Sequence, residues 1–199
     1  MIKRKQEILF GLLLGNASLQ SYTGGKTWRI RFTESTESSQ ANVDYLFHLY
    51  SVFEEHVKTP PKESISDSGH IKWRFNTTVD PLGLKFSKLF YKKNKRKKKM
   101  PSRKDLELYL SPIGLAYWFM DNGSLKSNCV SYYLCTDCFN LDELKVIREV
   151  FKEKYDIDIN FHKQRSNYRV YIPKRESKKF YNLIEKHVYI SLRYKLGNH

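Results

Sequence analysis

The chain has 199 residues, of which 40% are hydrophobic and 15% aromatic, so it carries enough apolar side chains for a packed core and is not globally disordered. Its formal net charge of +15 indicates a polyanionic partner such as nucleic acid. The apolar runs are far shorter than the roughly 20 residues of a transmembrane helix, which excludes a membrane-spanning role.

The first half of the chain alternates between helical and strand-like patterns. An apolar stretch at 6–14 predicts a buried helix, and it leads into GKTWRIRFT (25–33), where apolar and basic residues alternate as in a strand. An amphipathic helix is predicted over 40–57, a second alternating strand at 69–75 and a short closing helix at 82–92. The apolar face predicted for the helix at 40–57 consists of Val43, Leu46, Phe47, Tyr50 and Phe53.

The second half repeats this order. A buried helix is predicted at 113–121, followed by a strand within NCVSYYLCT (128–136) and an amphipathic helix over 141–155. The segment 158–172 predicts two strands joined by a turn at Gln164–Asn167, and a closing helix follows at 177–188. The repetition gives the order αββαββα in each half.

The predicted fold class is α+β, with two half-domains related by a pseudo-two-fold axis. We predict an N-terminal half at 1–91, a linker at 92–101 and a C-terminal half at 102–199. The linker reads KKNKRKKKMP, and its lysines and its arginine are suited to contacts with a phosphate backbone. Lys95, Arg96 and Lys97 are the linker residues predicted to bind nucleic acid.

The basic residues of the predicted strands indicate how a nucleic acid is recognised. Arg29, Arg31, Lys72 and Arg74 are expected on one face of the first sheet, and Arg169 and Tyr171 on one face of the second. A twisted β-ribbon that carries arginine can enter the major groove, where arginine binds guanine O6 and N7 with two hydrogen bonds. The alternative is a solvated sheet face that is basic without a partner.

Two short segments carry a family resemblance. LFGLLLGNA (9–17) and LAYWFMDNG (115–123) resemble the two motif copies of single-chain LAGLIDADG homing endonucleases, which are intron-encoded and typical of organelles. The resemblance implies a monomer in which two antiparallel sheets form a saddle over a central pair of motif helices and grip a long, asymmetric double-stranded DNA site. It also implies close packing of the two helices at Gly11, Gly15 and Ala116.

The same resemblance implies a site at the ends of the motif helices. In the family, a carboxylate from each helix binds Mg²⁺ or another divalent cation for phosphodiester cleavage, and the matching positions here are Asn16 and Asn122. Gly15 and Asp121 match positions that contribute to the metal site, through the backbone carbonyl. Lys195 matches a basic residue near the cleavage centre, with Lys98 as its first-half counterpart; the alternative for Lys195 is a solvated terminal lysine.

Asparagine at both positions departs from the family pattern. Asparagine keeps the shape of aspartate and an acceptor oxygen but has no charge, so metal binding is expected to be weak or absent. We therefore predict a chain that binds DNA and cleaves it poorly or not at all. Three explanations are open: engineering to trap an uncut complex, decay of an endonuclease, or conversion to a maturase or ribonucleoprotein component that binds group I intron RNA or other structured RNA.

The cysteines and the remaining features add little. Cys129, Cys135 and Cys138 are odd in number, which favours a reducing, intracellular compartment, and the resemblance indicates a mitochondrion or another organelle. The C-x-x-C pair at Cys135 and Cys138 lacks a second ligand pair, so small strand-end residues are favoured over a zinc site. A membrane partner is not expected, because the basic amphipathic pattern of interfacial helices is weak.

Overall fold

The computed structural model of the chain describes residues 2–35, 39–65, 69, 71–92, 97–126 and 130–197. The elements of the first half follow the predicted order. They are α1 (Ile2–Leu14), β1 (Ser18–Gln20), β2 (Arg29–Ser35), α2 (Gln40–Phe53), β3 (Lys62–Ile65), β4 (Ile71–Asn76) and α3 (Pro81–Phe90).

The second half adds one helix before the repeated order and a 3-10 helix (Ile190–Leu196) after it. Its elements are α4 (Arg103–Tyr109), α5 (Pro112–Asn122), β5 (Gly123–Leu125), β6 (Tyr132–Leu134), α6 (Leu141–Tyr155), β7 (Asn160–Gln164), β8 (Asn167–Ile172) and α7 (Lys174–Ile184). Local signals set several of the helix starts. Ser111 caps α5 ahead of Pro112, and Asn140 and Glu143 form a capping box at the start of α6.

The strands of the described residues form two four-stranded antiparallel sheets with the same strand order, β1-β2-β4-β3 and β5-β6-β8-β7. In the first sheet Phe32 pairs with Phe75, and both side chains are buried against the helices. In the second sheet Leu134 pairs with Val170 in the equivalent way. Because side chains alternate along a strand, the residues between these lie on the opposite faces, away from the helical core.

The motif helices α1 and α5 pack closely at the centre of the molecule, and most of their side chains are buried. A Cβ atom at Gly11 would overlap the carbonyl oxygen of Gly114, so this approach requires glycine. Ser111 at the start of α5 donates a hydrogen bond to Glu7 of α1, with a 2.9 Å oxygen–oxygen distance. The helix pair therefore joins the two halves into a continuous core.

The predicted α+β class, the repeated order and the saddle architecture are confirmed. The placement of Phe47 on the buried face of α2 is wrong: its side chain is exposed at the rim, against the ring of Trp73. Tyr45 and Leu49 are buried instead. The short strands β1, β3 and β5 and the helix α4 were not located from sequence, because elements of three to seven residues carry too little periodicity.

The basic linker is only partly described. Lys95 and Arg96 lie outside the described residues, whereas Lys97 is exposed. Tyr91 and Lys98, which flank most of the linker, form an isolated antiparallel bridge and are therefore adjacent in the fold. Among the helices that the structure describes, none combines the length and apolar character needed to cross a bilayer.

Candidate nucleic-acid interface and cleavage centre

The first sheet has a strongly basic outer face, which we call the N-terminal open face. Arg31 pairs with Asn76, and Lys62 pairs with Arg74, so these residues lie on the same side of the sheet as Arg29 and Lys72. The predicted shared face of the four basic strand residues is thus observed. The face consists of Ser18, Gln20, Arg29, Arg31, Thr33, Lys62, Ser64, Lys72, Arg74 and Asn76.

Neighbouring side chains orient two of these arginines. The guanidinium of Arg29 donates to the hydroxyl of Tyr22 over 2.7 Å and lies 4.6 Å from the centre of its ring. Arg31 donates through Nε to the side-chain oxygen of Asn76 over 3.3 Å. Arg74 is exposed at the middle of the face. An arginine held by its neighbours loses less side-chain entropy when it binds a ligand.

The second sheet has a different outer face, which we call the C-terminal open face. It consists of Ser124, Tyr133, Asn160, His162, Gln164, Asn167, Arg169 and Tyr171. Arg169 and Tyr171 lie on the same face of the sheet, as predicted. Aromatic and neutral polar groups dominate, so the two open faces differ in charge although their strand order is the same.

The ends of the two motif helices meet beneath the open faces. The side-chain amide of Asn16 donates to the backbone carbonyl of Asp121 over 3.1 Å, which ties α1 to α5. The backbone carbonyl of Asn122 accepts from the N–H of Cys135 over 2.9 Å. Asn16 is exposed and Asn122 is partly exposed, as expected for groups that face a bound ligand.

The carboxyl group of Asp121 crosses from α5 to α1. It accepts a hydrogen bond from the N–H of Asn16, and the absence of a side chain at Gly15 leaves the space that it occupies. It also shares a hydrogen bond with the carboxyl group of Glu34, which extends from the buried side of β2. Asp121 therefore joins both helix ends and the first sheet.

The environment favours the neutral forms of both carboxyl groups. Burial raises the pKa of Asp121 to about 6. Hydrogen bonds from the N–H groups of Asn16 and Ala17 and the positive charges of Lys98 and Lys195 act in the opposite direction. Burial, with repulsion from Asp121, raises the pKa of Glu34 to about 9. Near neutral pH Glu34 is therefore protonated and can donate the shared hydrogen bond.

Lys98 and Lys195 lie at the ends of the two motif helices. Lys98 donates to the carbonyl oxygen of Gly15 over 2.7 Å, and Lys195 donates to that of Met120 over 2.6 Å. Burial lowers the pKa of both lysines, whereas Asp121 acts in the opposite direction. A cation at a helix C-terminus is favourable because the backbone dipoles concentrate negative potential there.

The groups at this centre do not fit a divalent cation well. Mg²⁺ and Ca²⁺ require anionic oxygen ligands, but the side chains at Asn16 and Asn122 are neutral. The carbonyl of Gly15 accepts from Lys98, that of Asp121 accepts from Asn16, and the Asp121 carboxyl group is committed across the helix pair. Two lysines add positive charge. Among the described residues, no group of three or more His, Cys, Asp or Glu could hold a metal ion.

Several residues around the site were not predicted from sequence. Glu34 lies on the buried side of β2, after Ile30 and Phe32. An acidic residue where the strand alternation predicts an apolar one could have identified it from the sequence. Tyr133 and His162 also follow from strand alternation, once the two strands are assigned. Lys62 belongs to β3, which sequence patterns did not locate, and Asp137 contacts Arg169 from a loop.

Comparisons with known proteins agree with this architecture. The sequence model of the LAGLIDADG DNA endonuclease family matches residues 6–180. DNA endonuclease I-ChuI of Chlamydomonas applanata is 29% identical, over 100% of this chain and 96% of that protein. Cytochrome b mRNA maturase bI2 of Saccharomyces cerevisiae is 27% identical, over 96% of this chain and 47% of the maturase. The structure of the homing endonuclease I-WcaI bound to its DNA recognition sequence is similar with a TM-score of 0.85 and 26% identity, over 99% of this chain and 87% of that one.

Proposed function

Because the chain belongs to the LAGLIDADG DNA endonuclease family, we propose that it is a sequence-specific binder of double-stranded DNA in which phosphodiester cleavage is lost or strongly impaired. The observation that carries the proposal is the contrast between a preserved binding scaffold and a centre whose two matched carboxylate positions are uncharged. The open faces keep groups that contact bases and phosphates, while Asn16 and Asn122 replace the carboxylates that the family uses.

The binding part of the proposal rests on the open faces and the linker. I-WcaI, which has the same fold, is bound to its DNA recognition sequence. In this chain the N-terminal open face supplies arginines for base edges and lysines for phosphates. The linker residues Lys95, Arg96 and Lys97 are proposed to contact the DNA backbone, so neutralising them should weaken all duplexes alike and reduce the salt dependence of binding.

The cleavage part rests on charge. In the family, divalent cations activate water and stabilise the leaving oxygen, and Mg²⁺ is the proposed ancestral cofactor. With neutral amides at Asn16 and Asn122, a loss of about 5 kcal/mol of transition-state stabilisation would slow cleavage by more than about a thousandfold. Other groups stabilise the helix ends. Lys98 binds a main-chain carbonyl at the end of α1, Lys195 binds one near the end of α5, and Asp121 links α5 to α1.

RNA binding is the second candidate function. It is supported by the similarity to the cytochrome b mRNA maturase bI2, although this chain spans about half of that protein. A maturase or ribonucleoprotein component of this kind would bind group I intron RNA or other structured RNA through basic outer surfaces. For both candidates we propose a monomer. We also propose that it acts in a mitochondrion or another organelle, because the relatives include intron-encoded endonucleases and cytochrome b mRNA maturases.

A binding selection distinguishes the two candidates. The purified protein is offered a random duplex DNA library in competition with structured group I intron RNA, at one moderate salt concentration. Recovery of one long, asymmetric duplex sequence is expected, with RNA displaced. Retention of RNA without any duplex consensus would reject DNA recognition and favour the maturase function.

A further inference from the structure

The C-terminal open face is organised around an aromatic cluster that sequence patterns did not predict. The ring of His162 stacks on that of Tyr171 with centroids 4.0 Å apart and an interplanar angle of 23°. The ring of Tyr133 lies 5.1 Å from that of Tyr171, and its hydroxyl is 3.0 Å from Nδ1 of His162. These contacts hold three side chains in one arrangement, so the face is pre-organised for a ligand.

This face also carries little charge. Burial, helped by the nearby Lys126, lowers the pKa of His162, so its ring is neutral near pH 7. The described cations at this face are Arg169, which forms an ion pair with Asp137, and Lys126, whose ammonium group lies 5.6 Å from the centre of the Tyr171 ring. Asn160, Gln164 and Asn167 complete the face. A phosphate backbone therefore has few partners here, whereas base edges and thymine methyl groups have several.

Asp137 orients the guanidinium of Arg169. Nε of Arg169 lies 3.4 Å from one carboxylate oxygen of Asp137, and Nη2 lies 3.3 Å from the other. These contacts occupy one edge of the guanidinium. The Cys135 thiol also forms a hydrogen bond with Arg169. Arginine has five N–H donors, so donors beyond those used by Asp137 and Cys135 remain to bind guanine O6 and N7. Asp137 thus acts as a positioning residue for one guanine contact.

The two faces offer different side chains to the bases of a duplex. Arginine favours guanine, while asparagine and glutamine favour adenine and apolar side chains favour the thymine methyl group. Resting on the proposed duplex-binding function, we propose that the DNA target is chemically asymmetric. The half-site under the N-terminal open face is rich in guanine and supplies most of the salt dependence. The half-site under the C-terminal open face is A·T-rich, with one guanine recognised by Arg169 under the control of Asp137.

Base-resolved selections on variants of the full-length protein test this proposal. Arg74→Ala should remove preference at a position in the guanine-rich half-site. Asp137→Asn should reduce the preference for a single guanine in the other half-site by about tenfold, while Asp137→Glu retains much of it. Binding to unrelated duplexes should not weaken in Asp137→Asn, because the change removes a negative charge near the DNA. Glu107→Gln, which alters the exposed ion pair with Arg103 on α4, is the matched control and should leave every position unchanged.

Each outcome has a definite meaning. A consensus with guanine distributed equally between the half-sites, or an Asp137→Asn consensus identical to the wild type, overturns the asymmetry proposal while leaving duplex recognition intact. Failure of the wild type to select any duplex sequence rejects the proposed function itself. A uniform loss of affinity in Asp137→Asn across all sequences would assign Asp137 a structural role and also contradict the proposal.

Discussion

The N-terminal and C-terminal halves share one strand order and one helix order, yet they place different chemistry on their open faces. The first face is basic through Arg29, Arg31, Lys62, Lys72 and Arg74. The second face is aromatic and less basic, with Tyr133, His162 and Tyr171 beside Lys126 and the paired Arg169. The buried sides of the sheets are mainly apolar in both halves, with Glu34 as an acid on the buried side of β2. The need to pack a core therefore keeps the buried side chains of the two halves similar. The exposed side chains do not pack against the core, so they can differ between the halves.

The ends of the motif helices differ in a second way. Gly15 of α1 matches Asp121 of α5, and the aspartate extends into the space that the glycine leaves. Lys98 binds the carbonyl of Gly15, but Lys195 binds that of Met120, one position earlier in its own motif. At these helix ends Leu14 matches Met120 and Gly15 matches Asp121, whereas Asn16 and Asn122 carry the same side chain. Their shared neutrality is thus the central feature by which the two halves still agree.

The largest expected effect comes from restoring the two carboxylates. The double variant Asn16→Asp and Asn122→Asp should regain Mg²⁺-dependent double-strand cleavage of the selected duplex, with a rate at least about a thousandfold above the wild type. Each single variant should cleave far less than the double variant, because it restores only one of the two carboxylates that the family uses. The assay is single-turnover cleavage of labelled duplex. A folded, DNA-binding double variant that stays inactive would show that the centre differs from an active one at more than these two residues.

The shared helix pair can be broken directly. Gly11→Val should lower the free energy of unfolding by about 3 kcal/mol or more, because its side chain would overlap the backbone of Gly114. Gly114→Ala is the matched control, and since its Cβ would lie 3.0 Å from two carbonyl oxygens, a cost of about 1 kcal/mol is expected. Urea denaturation measures both. Equal small costs for the two variants would contradict the close packing at Gly11.

The pH dependence of stability tests the carboxyl pair of the centre. Because the pKa of Glu34 is raised to about 9, the folded state binds more protons than the unfolded state, and the free energy of unfolding falls as pH rises from about 5 to 9. Glu34→Gln should flatten this dependence, because glutamine has no proton to release over that pH range. Glu63→Gln on β3 is the control. Parallel pH profiles for the wild type and Glu34→Gln would rule out the protonated pair.

The smallest expected effects concern salt. Removing Lys62 and Lys72 as alanine variants should reduce the slope of log affinity against log salt by about 1 for each phosphate contact that is lost. Tyr133→Phe and Tyr171→Phe should leave the slope unchanged, because they alter base recognition and not charge. Equal slopes for variants of both faces would remove the electrostatic difference between the halves.

Sequence patterns were sufficient for the elements with strong periodicity. The helix α6 agrees with its predicted range, and the turn between β7 and β8 falls inside the predicted Gln164–Asn167 segment, where Arg165 adopts a φ of 55°. The assignment of Arg29, Arg31, Lys72 and Arg74 to one face also followed from alternation alone. The motif resemblance located both helix ends.

Contacts between distant residues could not be predicted in this way. The link between Glu34 and Asp121 depends on how a strand end meets a helix end. The ion pair of Arg169 with Asp137 depends on the path of a loop, and the stacking of His162 on Tyr171 depends on strand register. Each of these requires the tertiary arrangement, which periodicity does not supply.

Simultaneous measurement of bound and cleaved fractions tests the central claim most directly. The wild-type protein is titrated onto its selected duplex in Mg²⁺ and, in parallel, in EDTA, and both fractions are quantified in the same samples. We expect the same saturation curve in both conditions and intact DNA throughout, because Asn16 and Asn122 supply no negative charge to bind a dication and support cleavage. Specific cutting in Mg²⁺ at a rate comparable to the double aspartate variant would contradict the account.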